Sequence, residues 1–268
     1  MRWNSFAVLL VFVLAVVGFS RIAPAQWEVI YLAPEESEYG AYGWSLFDDV
    51  QVGHVGDHSD SRHACYWTGS AASIVDLNPS GGDYSAAECI SNGQICGWAS
   101  FSGTIKAGTW TTSATSWVSL HPTGATESKA LSTDGTYQVG YRTDDTNELE
   151  WRAGMWSGTS SSWTSLHPSS ASRSIAYGVD SGEQVGVAIV DGDPHAALWS
   201  GSASSFQDLT PSVASSAQCF DVRDGRQVGV VYIETDRAAL WYGSPSLFVD
   251  LHPTGESGSQ ALAVFGRY

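Results

Sequence analysis

The chain has 268 residues, with 28 acidic against 12 basic side chains, a formal net charge of −16 and 43% hydrophobic residues that include 12 Trp. That balance disfavours nucleic acid as a partner, because like charge opposes phosphate contact and only two Lys, Lys106 and Lys129, are present to neutralise it. The length suits one β domain with its own core rather than several.

Residues 1–25 have the layout of a secretory signal peptide: a basic start at Arg2, an apolar run over residues 6–19, and small residues Ala23 and Ala25 ahead of a cut before Gln26. The run is short for a membrane span, and no second span follows. The mature chain then carries ten basic against 28 acidic residues, a net charge of −18, and is expected to be secreted, extracellular or periplasmic. Its first stretch, "QWEVIYLAP" at residues 26–34, resembles the last strand of the repeat described next.

From residue 43 onward the sequence repeats five times, and a period of 20 to 50 residues fixes the architecture before anything else does. Trp67, Trp110, Trp156, Trp199 and Trp241 are spaced 43, 46, 43 and 42 residues apart, and Leu77, Leu120, Leu166, Leu209 and Leu251 keep the same intervals. A third track, Val-Gly or Cys-Gly, ends at Gly53, Gly97, Gly140, Gly186 and Gly229. The units run approximately over residues 43–86, 87–130, 131–176, 177–218 and 219–260, with end strands at 26–42 and 261–268.

Nothing in a unit sustains helical spacing, and Ser, Gly and Thr interrupt every short apolar run, so the unit reads as strands. In the fourth unit the predicted strands are residues 175–179, 184–190, 196–199 and 206–209, with Gly at the first turn supplying positive φ. In "AALW", Ala196 and Leu198 share one face and Ala197 and Trp199 the other, yet all four are apolar. A sheet with one wet face would alternate. Two buried faces predict small sheets sandwiched between neighbours, an all-β propeller of four-stranded blades, with five and at most six units. The segment "ALAVFGRY" at 261–268 matches the first strand of the third unit, so either the two end strands seal a five-unit ring, the favoured expectation, or the chain is a truncated member of a longer repeat family.

Cys89 and Cys96 flank "ISNGQI", and a two-residue Asn92-Gly93 turn would set them opposite each other at a separation close to what a disulfide needs, paired reduced thiols being the alternative. Cys65 takes a packing position and Cys219 has no obvious partner; no Cys-x-x-Cys spacing calls for zinc. Leu-His-Pro recurs at His121, His167 and His252, either three converging imidazoles or a strand-end turn that tolerates Asn78 and Thr210 elsewhere. Acid-rich loops at 56–60, 144–148 and 191–195 are calcium candidates or ordinary turns. Trp117, Trp163, Phe206 and Phe248 form an aromatic track suited to sugar stacking or to packing. No hydrolase elbow, His-Glu-x-x-His or phosphate loop is present, so no cofactor or metal is expected. A glycoside hydrolase would need paired carboxylates that the sequence does not place.

The repeated string resembles the HAF-type extracellular repeat, through His63, Ala64, Trp67, Asp76 and Leu77 and again through His195, Ala196, Leu198, Trp199, Asp208 and Leu209. The third letter of the motif departs at Cys65 and Ala197, and the His is missing from units two, three and five. That resemblance implies secretion and a repeat fold, and no activity. The expectation is a monomeric, non-catalytic binding or interaction module whose ligand is a carbohydrate or a surface protein, with a purely structural scaffold as the rival and a glycoside hydrolase behind it.

Overall fold

The computed structural model describes residues 29–33, 40–56, 62–144, 150–266; the signal-like segment and much of the 56–60 and 144–148 loops lie outside them. Five four-stranded antiparallel sheets follow one another along the chain. The first holds β1 (Ala41–Phe47), β2 (Val50–Val55), β3 (His63–Trp67) and β4 (Val75–Asp76); the second β5 (Tyr84–Ser91), β6 (Gln94–Phe101), β7 (Thr104–Trp110) and β8 (Val118–Ser119). The third holds β9 (Glu127–Thr133), β10 (Gln138–Thr143), β11 (Arg152–Trp156) and β12 (Thr164–Ser165). The fourth holds β13 (Ala171–Asp180), β14 (Glu183–Val190), β15 (Asp193–Trp199) and β16 (Gln207–Asp208); the fifth β17 (Ser216–Arg223), β18 (Arg226–Ile233), β19 (Thr235–Trp241) and β20 (Val249–Asp250). Each sheet starts two to six residues before the unit boundary read from the sequence, because the first strand begins ahead of the repeated glycine track.

The first strands of successive sheets pack on one another, β1 on β5, β5 on β9, β9 on β13 and β13 on β17, so they are the inner strands. The two-faced strand behaves as its composition demands. Ala196 and Leu198 enter the core shared with the fifth sheet and Ala197 and Trp199 the core shared with the third. At each of the four junctions the Trp of one sheet meets the Leu of the sheet before it, as Trp110 does Leu77 and Trp241 does Leu209. All five Trp are at most 1% exposed. Burying each removes about 150–250 Å², an upper bound of ~4–6 kcal/mol.

Two further positions hold a sheet together internally. Gln51, Gln138, Gln184 and Gln227 accept the backbone N–H of Gly69, Gly158, Gly201 and Gly243 at 2.7–2.9 Å, pinning the turn that follows the Trp. In the second sheet Ile95 stands opposite Trp110 where Gln51 stands opposite Trp67, and Thr112 replaces the glycine, so both partners change together. The aromatic track is the second. Trp117 and Trp163 lie over Gly108 and Gly154, where an added Cβ would fall 2.1 Å from the indole; Phe206 and Phe248 pack on the cores that hold Ala197 and Ala239, and in the first sheet the equivalent positions are Ile74 and Cys65. The larger the strand residue, the smaller its cover.

The ends depart from expectation. Among the described residues neither 29–33 nor 261–266 forms a strand, and 26–28, 34–39 and 267–268 of the two predicted end strands lie outside the described residues. Leu251 is 45% exposed whereas Leu77, Leu120, Leu166 and Leu209 are fully buried, each against the Trp of the next sheet; among the described residues no Trp shares a core with Leu251. The fifth leucine anchor is therefore not a packing anchor.

The Gly/Trp fit gives a direct test. Gly154→Ala is expected to cost ~1–3 kcal/mol by overpacking, read by thermal unfolding, and Trp163→Phe in the same chain to recover most of it by reproducing the Ala/Phe pair of the fourth and fifth sheets.

Candidate functional site on the inner strands

Each inner strand carries one extra residue at the same place: Trp44, Glu88, Leu131, Tyr177 and Phe220 interrupt the register with the second strand. A bulge of this kind re-aims a side chain and presses backbone against the partner strand. The pressure is measurable, since a Cβ on Gly53, Gly97, Gly140, Gly186 or Gly229 would sit 1.7–2.1 Å from a carbonyl oxygen of the inner strand. The repeated glycine is thus required by the bulge. The residue after it, His54, Trp98, Tyr141, Val187 or Val230, shares a face with the bulged side chain.

Along this track the five sheets are not alike. In the fourth and fifth it is apolar, Tyr177 and Phe220 meeting edge-on at 6.0 Å. In the first three it is aromatic and charged. Trp44 donates its indole N–H to Nδ1 of His54 at 3.1 Å, and Tyr42 stacks on the same imidazole at 4.9 Å. Burial, helped by the Arg62 guanidinium, pulls the His54 pKa down to about 4. Trp44 itself is 56% exposed.

In the second sheet Trp98 donates to Oε1 of Glu88 at 2.7 Å, and two cations lie over the same indole, Arg62 at 4.6 Å and Lys129 at 4.8 Å. Burial pushes the Glu88 carboxyl up, opposed by the Trp98 hydrogen bond, Lys129 and Arg62. Lys129 also pairs with Glu127 at 3.5 Å, and Glu127 accepts from the Tyr141 hydroxyl at 3.1 Å. One of only two Lys in the chain therefore sits in this cluster. An exposed indole beside a hydrogen-bonding, mixed-charge wall can stack a flat ligand face and bond its polar rim. Among the described residues no group of three or more His, Cys, Asp or Glu is placed to hold a metal.

The Leu-His-Pro histidines do not converge. His121 Nε2–H donates to the Ala125 carbonyl at 3.1 Å, which leaves Nδ1 to accept from Ser128 at 2.8 Å, and Ser128 Oγ accepts the Ala107 N–H at 2.9 Å. His167 with Ser174 and His252 with Ser259 repeat the contact. Asn78 reproduces it atom for atom, accepting from Ser85 at 2.8 Å and donating to the Gly82 carbonyl at 3.0 Å. In the fourth sheet, where Ala217 replaces the serine, Thr210 Oγ1 takes the Ala196 N–H itself. These residues clamp each third strand to the inner strand that follows. The aromatic track likewise packs: Trp117 and Trp163 lie 4.5 and 4.6 Å from the buried Trp110 and Trp156. The motif histidines His63 and His195 pair with Asp76 and Asp208 at 2.8 and 2.7 Å, as Arg237 does with Asp250. Asp191 and Gly192 form a positive-φ turn.

Cys89 and Cys96 are register partners across the Asn92-Gly93 turn, whose two residues both have positive φ, and they stand as thiols. Cys96 is fully buried beside Trp156; Cys89 lies within 3.9 Å of Ser45, Ser132 and the Thr133 carbonyl. The hydrogen bond with Cys96 brings the Cys89 thiol down to about 7.

The inner-face residues escaped the sequence reading, although a signal existed. Directly after the repeated glycine the repeat breaks, from Val187 and Val230 to His54, Trp98 and Tyr141.

No protein-family model matches the chain, and no curated protein matches it in sequence. Solved structures do match in fold. TolB from Acinetobacter baumannii superposes with a TM-score of 0.52 at 11% identity over 82% of this chain and 55% of that one. A puromycin hydrolase mutant complexed with PGG gives 0.62 at 10% over 86% and 40%. A puromycin-hydrolyzing peptidase of Mycobacterium tuberculosis gives 0.58 at 12% over 84% and 40%. The chain thus spans about half or less of each, and the likeness is one of fold: the five sheets are blades of a β-propeller.

Two outcomes follow. His121→Asn should unfold within ~0.5 kcal/mol of the parent and His121→Leu ~1–2 kcal/mol below it, read by chemical denaturation. After incubation of the folded chain with oxidised glutathione, alkylation and mass spectrometry should find Cys89 and Cys96 lost together as one disulfide; two intact thiols would refute that bond.

Proposed function

We propose that this propeller is a secreted, extracellular or periplasmic binding module without chemistry of its own, and that its ligand is a carbohydrate held on the inner face of the first three blades. The observation that carries the reading is the break in symmetry there. Trp44 presents an exposed indole next to Tyr42 and His54, and the second blade supplies Glu88 and a buried Trp98, over which lie Arg62 from the first blade and Lys129 from the third. Sugars are recognised by this combination of a flat apolar platform and fixed polar groups. The HAF-type resemblance and the signal-like start support export; a surface protein is the alternative ligand.

A second reading has one specific support. Glu88 is a carboxyl pushed up by burial, the condition of a general acid in glycoside hydrolysis.

Both readings meet in one experiment. The mature chain on a glycan array should give specific binding, and Trp44→Ala, its fold checked by circular dichroism, should weaken it about tenfold, the equivalent of ~1.4 kcal/mol. Glu88→Gln should bind without turnover of any bound glycoside differing from the parent; turnover by the parent that Glu88→Gln abolishes would replace the module with an enzyme.

A further inference from the structure

Arg62 is a cation without an answering anion. Arg142, Arg152, Arg223, Arg226 and Arg237 each stand against an Asp or Glu. Among the described residues the Arg62 guanidinium makes no ion pair and no hydrogen bond, and its Nε is buried.

Its place is nevertheless fixed. The Arg62 carbonyl accepts the Ser85 N–H at 2.8 Å, which ties the start of β3 to β5 of the next blade. The guanidinium carbon lies 4.6 Å from the centre of the Trp98 ring, and Lys129 of the third blade lies 4.8 Å from the same ring. Among the described residues no other ring carries two cations. The two charges are therefore less than a Debye length (~10 Å at 0.1 M salt) apart and repel each other. Neither neighbouring carboxyl relieves Arg62. Glu88 is turned to the Trp98 N–H, and burial favours its uncharged form. Glu127 is engaged by Lys129 at 3.5 Å and by the Tyr141 hydroxyl at 3.1 Å.

Arg62 also borders the exposed indole. In the register of β2 and β3, His54 stands opposite Ala64, so Arg62 lies on the same face one diagonal step away, about 7–8 Å. The Arg62 charge is felt there, adding to burial in holding His54 neutral. Trp44, bonded to the same imidazole, is open to solvent. A uronic acid ring with its carboxylate covers such a step.

We infer that the glycan proposed above is acidic, a uronic acid residue stacking its ring on Trp44 and laying its carboxylate along the Arg62 guanidinium, with Lys129 adding attraction from the third blade. The inference rests on the carbohydrate reading and adds the charge of the ligand. The planar fork of Arg matches the two oxygens of a carboxylate. The net charge of −16 repels anions at long range, so recognition depends on contact with these cations and not on steering.

The chain is titrated calorimetrically with oligomers of galacturonic and of glucuronic acid, each beside its methyl ester, which keeps the ring and removes the charge. Binding of at least one acid is expected, weakened about tenfold or more by esterification and by Arg62→Gln. Arg237→Gln removes an equal charge from the fifth blade and should change the affinity less than about twofold; circular dichroism checks that both variants are folded. Equal binding of acid and ester, or equal loss in the two variants, overturns the inference and leaves the carbohydrate reading standing. So does failure to bind either acid by a chain that binds neutral glycans on the array. Silence toward every glycan, charged or neutral, overturns both.

Discussion

The architecture depends on one extra residue in each inner strand. The bulge drives an inner-strand carbonyl toward the second strand so closely that a Cβ there would sit 1.7–2.1 Å away, and glycine is the only residue that fits. With the glycine in place the second strand runs close to the first, and the third can bury both of its faces. The same bulge turns one side chain per blade out of the ladder. A single steric event therefore sets both the packing that repeats and the surface that does not.

Around that constraint the junctions are made of pairs that change together. Gly with Trp, Ala with Phe and Cys with Ile fill nearly the same volume in different blades, as close-packed interiors demand. His with Ser, Asn with Ser and Thr with Ala deliver an acceptor to the same backbone N–H by different routes. The neutral imidazole suits this role because it offers one acceptor and one donor, as an amide does. The indole N–H of the five repeated Trp, by contrast, has no hydrogen-bond partner among the described residues, so the Trp anchors act through area and ring contacts.

Much of this was legible in the sequence. The "AALW" strand announced two buried faces, the tracks of Trp and Leu gave the period, and the Asn92-Gly93 turn put Cys89 opposite Cys96. What stayed hidden was whatever depends on a neighbour the repeat does not spell out. Leu251 reads like its four counterparts, but its burial requires a following sheet. Residues 261–266 match an inner strand in sequence and dock like one, yet a strand forms only when a ladder partner is present. The bulge was illegible because it is one residue in a strand of seven to ten, and period-two patterning slips silently past it.

That difference separates structure from function in a repeat protein. A departure from the repeat answered by a matching departure elsewhere preserves a contact, and Ile95 with Thr112 or Thr210 with Ala217 are of this kind. A departure with no answering change alters what the blade presents. His54 and Trp98 are of the second kind, an imidazole bonded to Trp44 and an indole ringed by Arg62, Lys129 and Glu88, whereas Tyr141 packs with Ile175 and Val187 and turns its hydroxyl to Glu127. Burying those groups carries a desolvation cost, which the depressed His54 and raised Glu88 record.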